Sequence, residues 1–217
     1  MSEFRTTDET IRYDSAAQSA GGENERHSIQ TYVSDMLALE RHISQPLERQ
    51  LKLDDTAKYG PALAAIAQIK AYNEAHVAAL DDALQQVGGH PASGVKSAWS
   101  DLLGAAAGAI DSVRKTKVSK ALRDDFTALS LASISYEMLY TTAVGLGNAA
   151  IAALAQRHLA DYARVVMQIN QVIPDVVLRE LQDDGENVQA TAAETIRRQL
   201  NEIWQSQSSV AHQSPTS

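Results

Sequence analysis

Apolar residues along this chain recur at three- and four-residue steps, the spacing that gathers them on one face of a helix. From 28 to 51 the stripe is Tyr32, Val33, Met36, Leu37, Ile43, Leu47 and Leu51, which predicts a first long helix. Pro46 lies inside it and, lacking a backbone donor, is expected to kink it. A second helix is predicted from Pro61, a good first-turn residue, through Leu63, Ile66, Ile69, Leu80, Leu84 and Val87. Gly88-Gly89 followed by His90-Pro91 marks its stop. Residues 95–118 repeat the pattern through Trp99, Leu102, Leu103, Ala106, Ile110 and Val113, weakened by Gly104 and Gly108. A third long helix is expected over 120–146, with Leu122, Phe126, Leu129, Tyr136, Tyr140 and Val144. Asn148 can cap a fourth, carrying Ile151, Leu154, Leu159, Val165 and Ile169 to about Val172, before Pro174 kinks or restarts it. A last amphipathic helix is predicted over 187–205, with Ala192, Ile196, Leu200, Ile203 and Trp204 on one side. No stretch alternates with the two-residue period of a strand, so the predicted class is all-α.

Two long hairpins joined by a crossover long enough to run the length of a bundle make a known topology, used by ferritin-like proteins. The expectation is therefore a ferritin-like four-helix bundle over 28–182, with a long helical crossover between helices 2 and 3 and an extra C-terminal helix. Residues 1–27 and 206–217 are polar and aperiodic, and are expected to be disordered tails. The apolar side of the 187–205 helix must be covered, either by its own bundle or across a two-fold axis. A homodimer is expected, with this helix contributing to the contact.

Composition narrows the picture. Aromatics are only 5% of the chain, and Ala and Leu carry the apolar load, as suits helices. A net charge of −8 argues against nucleic acid, whose phosphates need a positive surface. The basic run Arg114, Lys115, Lys117, Lys120 and Arg123 is flanked by Asp111, Asp124 and Asp125, and reads as a solvated face. The absence of cysteine removes disulfides, thiolate metal sites and thiol catalysis. The first residues contain no apolar core of a signal peptide. The most lipid-like window, 129–154, is broken by Glu137, Asn148, Gly145 and Gly147. A cytoplasmic protein that does not enter the membrane is expected.

Ionisable side chains on apolar stripes are the informative ones, because burial is costly unless they are paired or coordinated. Glu40 interrupts the first stripe between Met36 and Ile43. Asn73 and His76 interrupt the second, Glu137 lies on the third helix, and His158 and Asp161 stand three apart on the fourth. Glu40, His76, Glu137, His158 and Asp161 are thus candidate metal ligands, of a type that suits iron or manganese. A di-iron bundle takes a Glu from each of two helices and a Glu-x-x-His pair from the other two. Here the pair positions read Asn73-x-x-His76 and His158-x-x-Asp161, one without its acid and the other in reversed order. Each of the five also has a plainer reading as a boundary residue paired to a neighbour, under which Glu40→Gln would be nearly silent. Phosphate-binding, nucleophile-elbow and zinc-protease motifs are absent.

These residues resemble the bacterial YciE/YciF-type ferritin-like family, small stress-associated proteins, over about residues 30–182. The run Ser34-Asp35-Met36-Leu37-Ala38-Leu39-Glu40-Arg41-His42 looks like that family's first helix, in which a Tyr-x-Ala-Glu-x-Gln phrase carries a ligand, and Glu40 falls on that Glu. The second helix is similar to His-x-x-Glu-Thr-x-x-His, with Ile69, Tyr72 and His76 at the first His, the Glu and the last His. Ala132-Ser133-Ile134-Ser135-Tyr136 looks like Glu-Ile-Ala-Ser-Tyr, and Asp161 falls near the carboxylate of a Leu-x-Glu-Glu stretch. The resemblance implies the ferritin-like fold and retains Glu40, His76 and Asp161, while Ile69, Tyr72 and Ala132 stand at three other ligand positions. The expected function is a structural or interaction module with a degenerate metal site and no catalysis. The alternative is an iron- or manganese-binding oxidase using the five residues.

Overall fold

The computed structural model describes residues 6–52, 54–89, 117–189 and 191–211, and among them every regular element is a helix. These are α1 (Thr6–Leu51), the short α2 (Asp54–Lys58), α3 (Gly60–Gln86), α4 (Val118–Gly145), α5 (Ala149–Asp183) and α6 (Ala192–Ala211). The all-α class read from the periodicity holds. None of the described helices is long and apolar enough to cross a membrane. Most of the predicted 95–118 helix lies outside the described residues.

Four helices enclose the core, and their side-chain pairs fix the directions. Gln30 bonds Val87 and Glu40 bonds Asn73, so α1 and α3 are antiparallel. Glu40 meets Tyr136 and Gln50 meets Asp125, so α1 and α4 are antiparallel too. Tyr59 with Asp183 and Tyr72 with Arg164 align α3 against α5, and Ser119 with Glu180 aligns α4 against α5. It follows that α3 and α4 run parallel, on opposite corners of the bundle. The end of α3 and the start of α4 therefore lie toward opposite ends of the bundle, α3 rising about 40 Å over its 27 residues. Parallel second and third long helices are what the expected topology requires, and the expected helical crossover itself lies outside the described residues.

The stripes are inward as expected: Val33, Met36, Leu37, Ile43 and Leu47 of α1 are buried against Ile66, Ile69, Leu80 and Leu84 of α3. Leu122, Leu129 and Leu139 of α4 and Ile151, Val165 and Ile169 of α5 complete the same core. Asn148 caps α5 by accepting from the Ile151 amide at 3.1 Å. Gly88 and Gly147 follow α3 and α4 with φ of +76° and +69°. In each case the next amide reaches back five residues, Gly89 to Leu84 and Asn148 to Ala143, a closure that requires the left-handed turn glycine adopts freely.

Several boundaries differ from the sequence reading. Residues 6–27 are helical rather than disordered, because α1 begins at Thr6. Positions 22–27 are exposed and carry no apolar stripe, but extending an existing helix adds one hydrogen bond per residue without a new nucleus. At the other end, 206–211 belong to α6, which starts at Ala192 rather than near 187. Pro174 does not end α5, which continues to Asp183. It removes one donor, and buried Val172, Val176 and Glu180 hold the following turns in place. Helix α6 folds back on α5 of its own chain through Gln171–Asn201, at 2.7 Å, and Arg197–Asp175.

One acid expected on the solvated basic face is buried. Asp125 is 5% exposed and accepts from the Gln50 amide at 2.9 Å. Its second oxygen and Gln50 Oε1 have no partner among the described residues. Burial pushes its carboxyl up to about 7, helped by the charge of Asp124 and opposed by the Gln50 bond. A protonated carboxyl keeps the Gln50 bond at Oδ1 and leaves no buried charge, which is what the shift favours.

Leu129 is fully buried, so Leu129→Ala is expected to cost about 2–5 kcal/mol in denaturant unfolding through the cavity it leaves. The half-exposed Ile134 one turn on should tolerate the same change. Asp125 has a raised folded pKa, so its contribution is complete below the ordinary carboxylate range and is lost as pH rises through about 7. Melting temperature should therefore fall between about pH 4 and about pH 7 and level off above that. Asp125→Asn, which keeps the amide pairing without the titrating proton, should flatten that fall and melt higher than wild type at the alkaline end.

Candidate functional site

Mid-bundle, the apolar layers are interrupted by one polar layer to which all four long helices contribute. Glu40 of α1 is its centre and is 0% exposed. Oε1 accepts from the Tyr136 hydroxyl of α4 at 2.6 Å and lies 3.0 Å from His76 Nδ1 of α3. Oε2 accepts from Asn73 Nδ2 at 2.6 Å and from the Tyr162 hydroxyl of α5. The same Asn73 nitrogen donates to the Glu40 main-chain oxygen at 2.8 Å, which fixes the orientation of the amide.

Around this centre the donors have their own partners. Tyr136 gives its proton to Glu40, so its oxygen is left to accept from His158 Nδ1–H at 3.0 Å. His158 is held neutral, its pKa lowered to about 3 by burial first, then by the neighbouring His76 and by Arg157. Its ring stacks on that of His76 with centroids 3.8 Å apart. His76 Nε2 points outward to Asp161 Oδ2 at 3.4 Å. Asp161 is bonded by Arg164, whose guanidinium also reaches the Tyr72 hydroxyl and lies over that ring. Both buried tyrosines are driven further from ionisation, by desolvation and then by the adjacent Glu40 charge. The layer thus grades from a sealed carboxylate at Glu40 to a half-exposed ion pair at Asp161 and Arg164.

Of the five residues predicted from sequence, four are brought together: Glu40, His76, His158 and Asp161. Glu137 is not. It is exposed, because its neighbour Tyr136 faces inward and successive helical residues point about 100° apart. Tyr136 and Tyr162 are the functional side chains that the reading missed. Tyrosine on an apolar stripe looks like core packing, and nothing in its spacing reveals that a carboxylate lies within reach of its hydroxyl. Asn73 was seen on its stripe, and it takes a donor's part here.

The chain matches no family model and no curated protein. Among solved structures it is similar to the crystal structure of a protein from Xanthomonas campestris pv. campestris, with a TM-score of 0.61. The match covers 75% of this chain and 99% of that one, at 13% identity. The likeness is one of fold alone.

The donor set can be tested against the metal that the resemblance read from the sequence implies. A carboxylate offers roughly four lone-pair sites, and Glu40 already has four donors around its two oxygens, from Tyr136, His76, Asn73 and Tyr162. His76 spends one nitrogen on the same carboxylate, and His158 spends its N–H on Tyr136. Among the described residues no three acidic or histidine side chains are grouped so as to hold a metal ion. The residues present do not fit one. What they do well is bury a single charge without leaving it unsatisfied.

This reverses the expectation that Glu40→Gln is silent. An amide nitrogen in place of either oxygen would face two hydrogen-bond donors. The substitution should cost at least about 1–3 kcal/mol in urea unfolding. Tyr136→Phe should cost about 1.5–3 kcal/mol, since it removes a bond to a charged group and leaves His158 Nδ1–H without its acceptor. A wild-type midpoint for both variants would mean that the carboxylate is not saturated as described.

Proposed function

We propose that this chain is a divergent ferritin-like protein, akin to the stress-associated YciE/YciF-type proteins, that works as a structural or interaction module. In this reading its inherited metal centre has become a hydrogen-bonded core that takes up no metal. The observation that carries the reading is the saturation of Glu40 by four protein donors drawn from three other helices. The crossover topology supports the ferritin-like assignment, since parallel second and third helices are the mark of that bundle. In the Asn73-x-x-His76 pair an amide stands where a di-iron bundle has a Glu, and it donates to Glu40 where a carboxylate would accept a cation. The phenols of Tyr136 and Tyr162 fill the remaining sides of Glu40 with further donors.

The test is metal analysis and melting of untagged protein. Iron and manganese are expected at background, and a strong chelator should leave the melting temperature unchanged, because a metal bound only to the folded state would stabilise it by mass action. Stoichiometric iron or manganese that chelation removes, with a lowered melting temperature, would favour the oxidase alternative instead.

A further inference from the structure

The two phenols of the polar layer are placed in a way that packing alone does not ask for. Tyr136 and Tyr162 come from different helices, and each gives its proton to a different oxygen of the same carboxylate. Both are fully buried, with ring centroids 6.1 Å apart. At rest their protons stay on oxygen, since desolvation and then the Glu40 charge oppose simple ionisation. A line of rings leads outward from them. The His76 ring lies 4.7 Å from Tyr162 and 5.8 Å from Tyr136, and stacks at 6.2 Å on half-buried Tyr72. Charge changes sign along this line. The Arg164 guanidinium lies over Tyr72 and donates to its hydroxyl, whereas the Glu40 carboxylate faces the inner pair.

The geometry points to this inner pair as a site of one-electron oxidation, where a single tyrosyl radical forms through Tyr72 and is kept from solvent. A phenol that loses an electron becomes a strong acid and must shed its proton in the same event, so a base within hydrogen-bond reach is the requirement. Glu40 Oε1 stands 2.6 Å from the Tyr136 oxygen, and Oε2 accepts from Tyr162. One electron leaves Tyr136 or Tyr162 by way of Tyr72 to a diffusible one-electron oxidant, which is reduced by one. The phenolic O–H bond breaks, and its proton passes to the Glu40 oxygen that it already touches. The products are a neutral phenoxyl radical and a neutral carboxylic acid, so the step also removes a buried charge. Glu40 takes up one proton, so the pair stores one oxidising equivalent although it has two phenols. The cation at Tyr72 opposes electron loss there and the anion at the inner pair favours it, which holds the radical inside. His158 Nδ1–H, 3.0 Å from the Tyr136 oxygen, remains as its donor after the proton has left. The step uses no metal and goes beyond the proposed function.

The test treats the full chain with hexachloroiridate(IV), an outer-sphere one-electron oxidant, and follows the phenoxyl signal by electron paramagnetic resonance. The signal should outlast that of N-acetyltyrosinamide treated alike by at least about tenfold, because water and other radicals are kept from it. A second equivalent of oxidant should add no further long-lived spin. Tyr136→Phe and Tyr162→Phe should each retain the signal singly and lose it together, and Tyr72→Phe should slow its appearance severalfold without lowering its yield. A further readout needs no variant, should the double substitution fail to fold. Nitric oxide couples with a phenoxyl radical at ring carbon, and in wild type the mark should fall on Tyr136 or Tyr162 in peptide mass mapping. A signal as short-lived as the free amide's, one that survives in the double variant, or one that forms no more slowly in Tyr72→Phe would overturn the inference. So would marking confined to Tyr13, Tyr32, Tyr59 and Tyr140.

Discussion

The structure depends on keeping one carboxylate charged in the middle of an apolar bundle. A charge taken from water into a protein interior costs several kcal/mol unless its surroundings replace the lost hydration. At Glu40 the replacement is complete: two phenols, an amide and an imidazole stand where water would be. Because these donors come from α3, α4 and α5, the cost falls only when all four helices are in register. A slip of one residue between any two would withdraw a donor from the charge.

That coupling gives the polar layer a role different from the leucine and isoleucine layers around it. Apolar side chains reward many packings that are nearly equal, and alanine-rich stripes are especially tolerant of sliding. A saturated carboxylate rewards one arrangement, as half-satisfied buried polar networks are worse than none. The ladder of cross-helix pairs outside the hub, from Gln30–Val87 at one end to Tyr59–Asp183 and Ser119–Glu180 at the other, agrees with the register the hub imposes. The hub is also graded toward solvent, since His76 links buried Glu40 to half-exposed Asp161, where Arg164 holds the outer charge.

Much of this was legible in the residues. Three- and four-residue spacing placed Glu40, Asn73, His76 and His158 on inward faces, and all are buried. Asn148 and the Gly88-Gly89 pair marked helix ends through chemistry that acts within a single turn. Where the reading failed, the information was not local. Glu137 and Tyr136 are neighbours that compete for one inward direction, and only the packing of α4 against α1 and α5 decides between them. Asp125 sits among charges in the sequence yet points at Gln50, 75 positions away. The 6–27 segment lacks a stripe, and its helix is carried on from a packed neighbour rather than specified by its own pattern.

By itself, then, the sequence determined what depends on periodicity and short-range chemistry: an all-α chain, four long amphipathic helices, the caps that end them and the polar residues that face inward. Tertiary structure alone decided what those inward groups do to one another. Whether a buried glutamate binds a metal or is sealed by hydrogen bonds depends on how many donors reach its lone pairs. Those donors lie 33, 36, 96 and 122 residues away along the chain. Spacing within one helix carries no information about which hydroxyl of another will stand opposite. That is fixed only when the helices pack, because distances across the bundle are set by the sum of all the side chains between them.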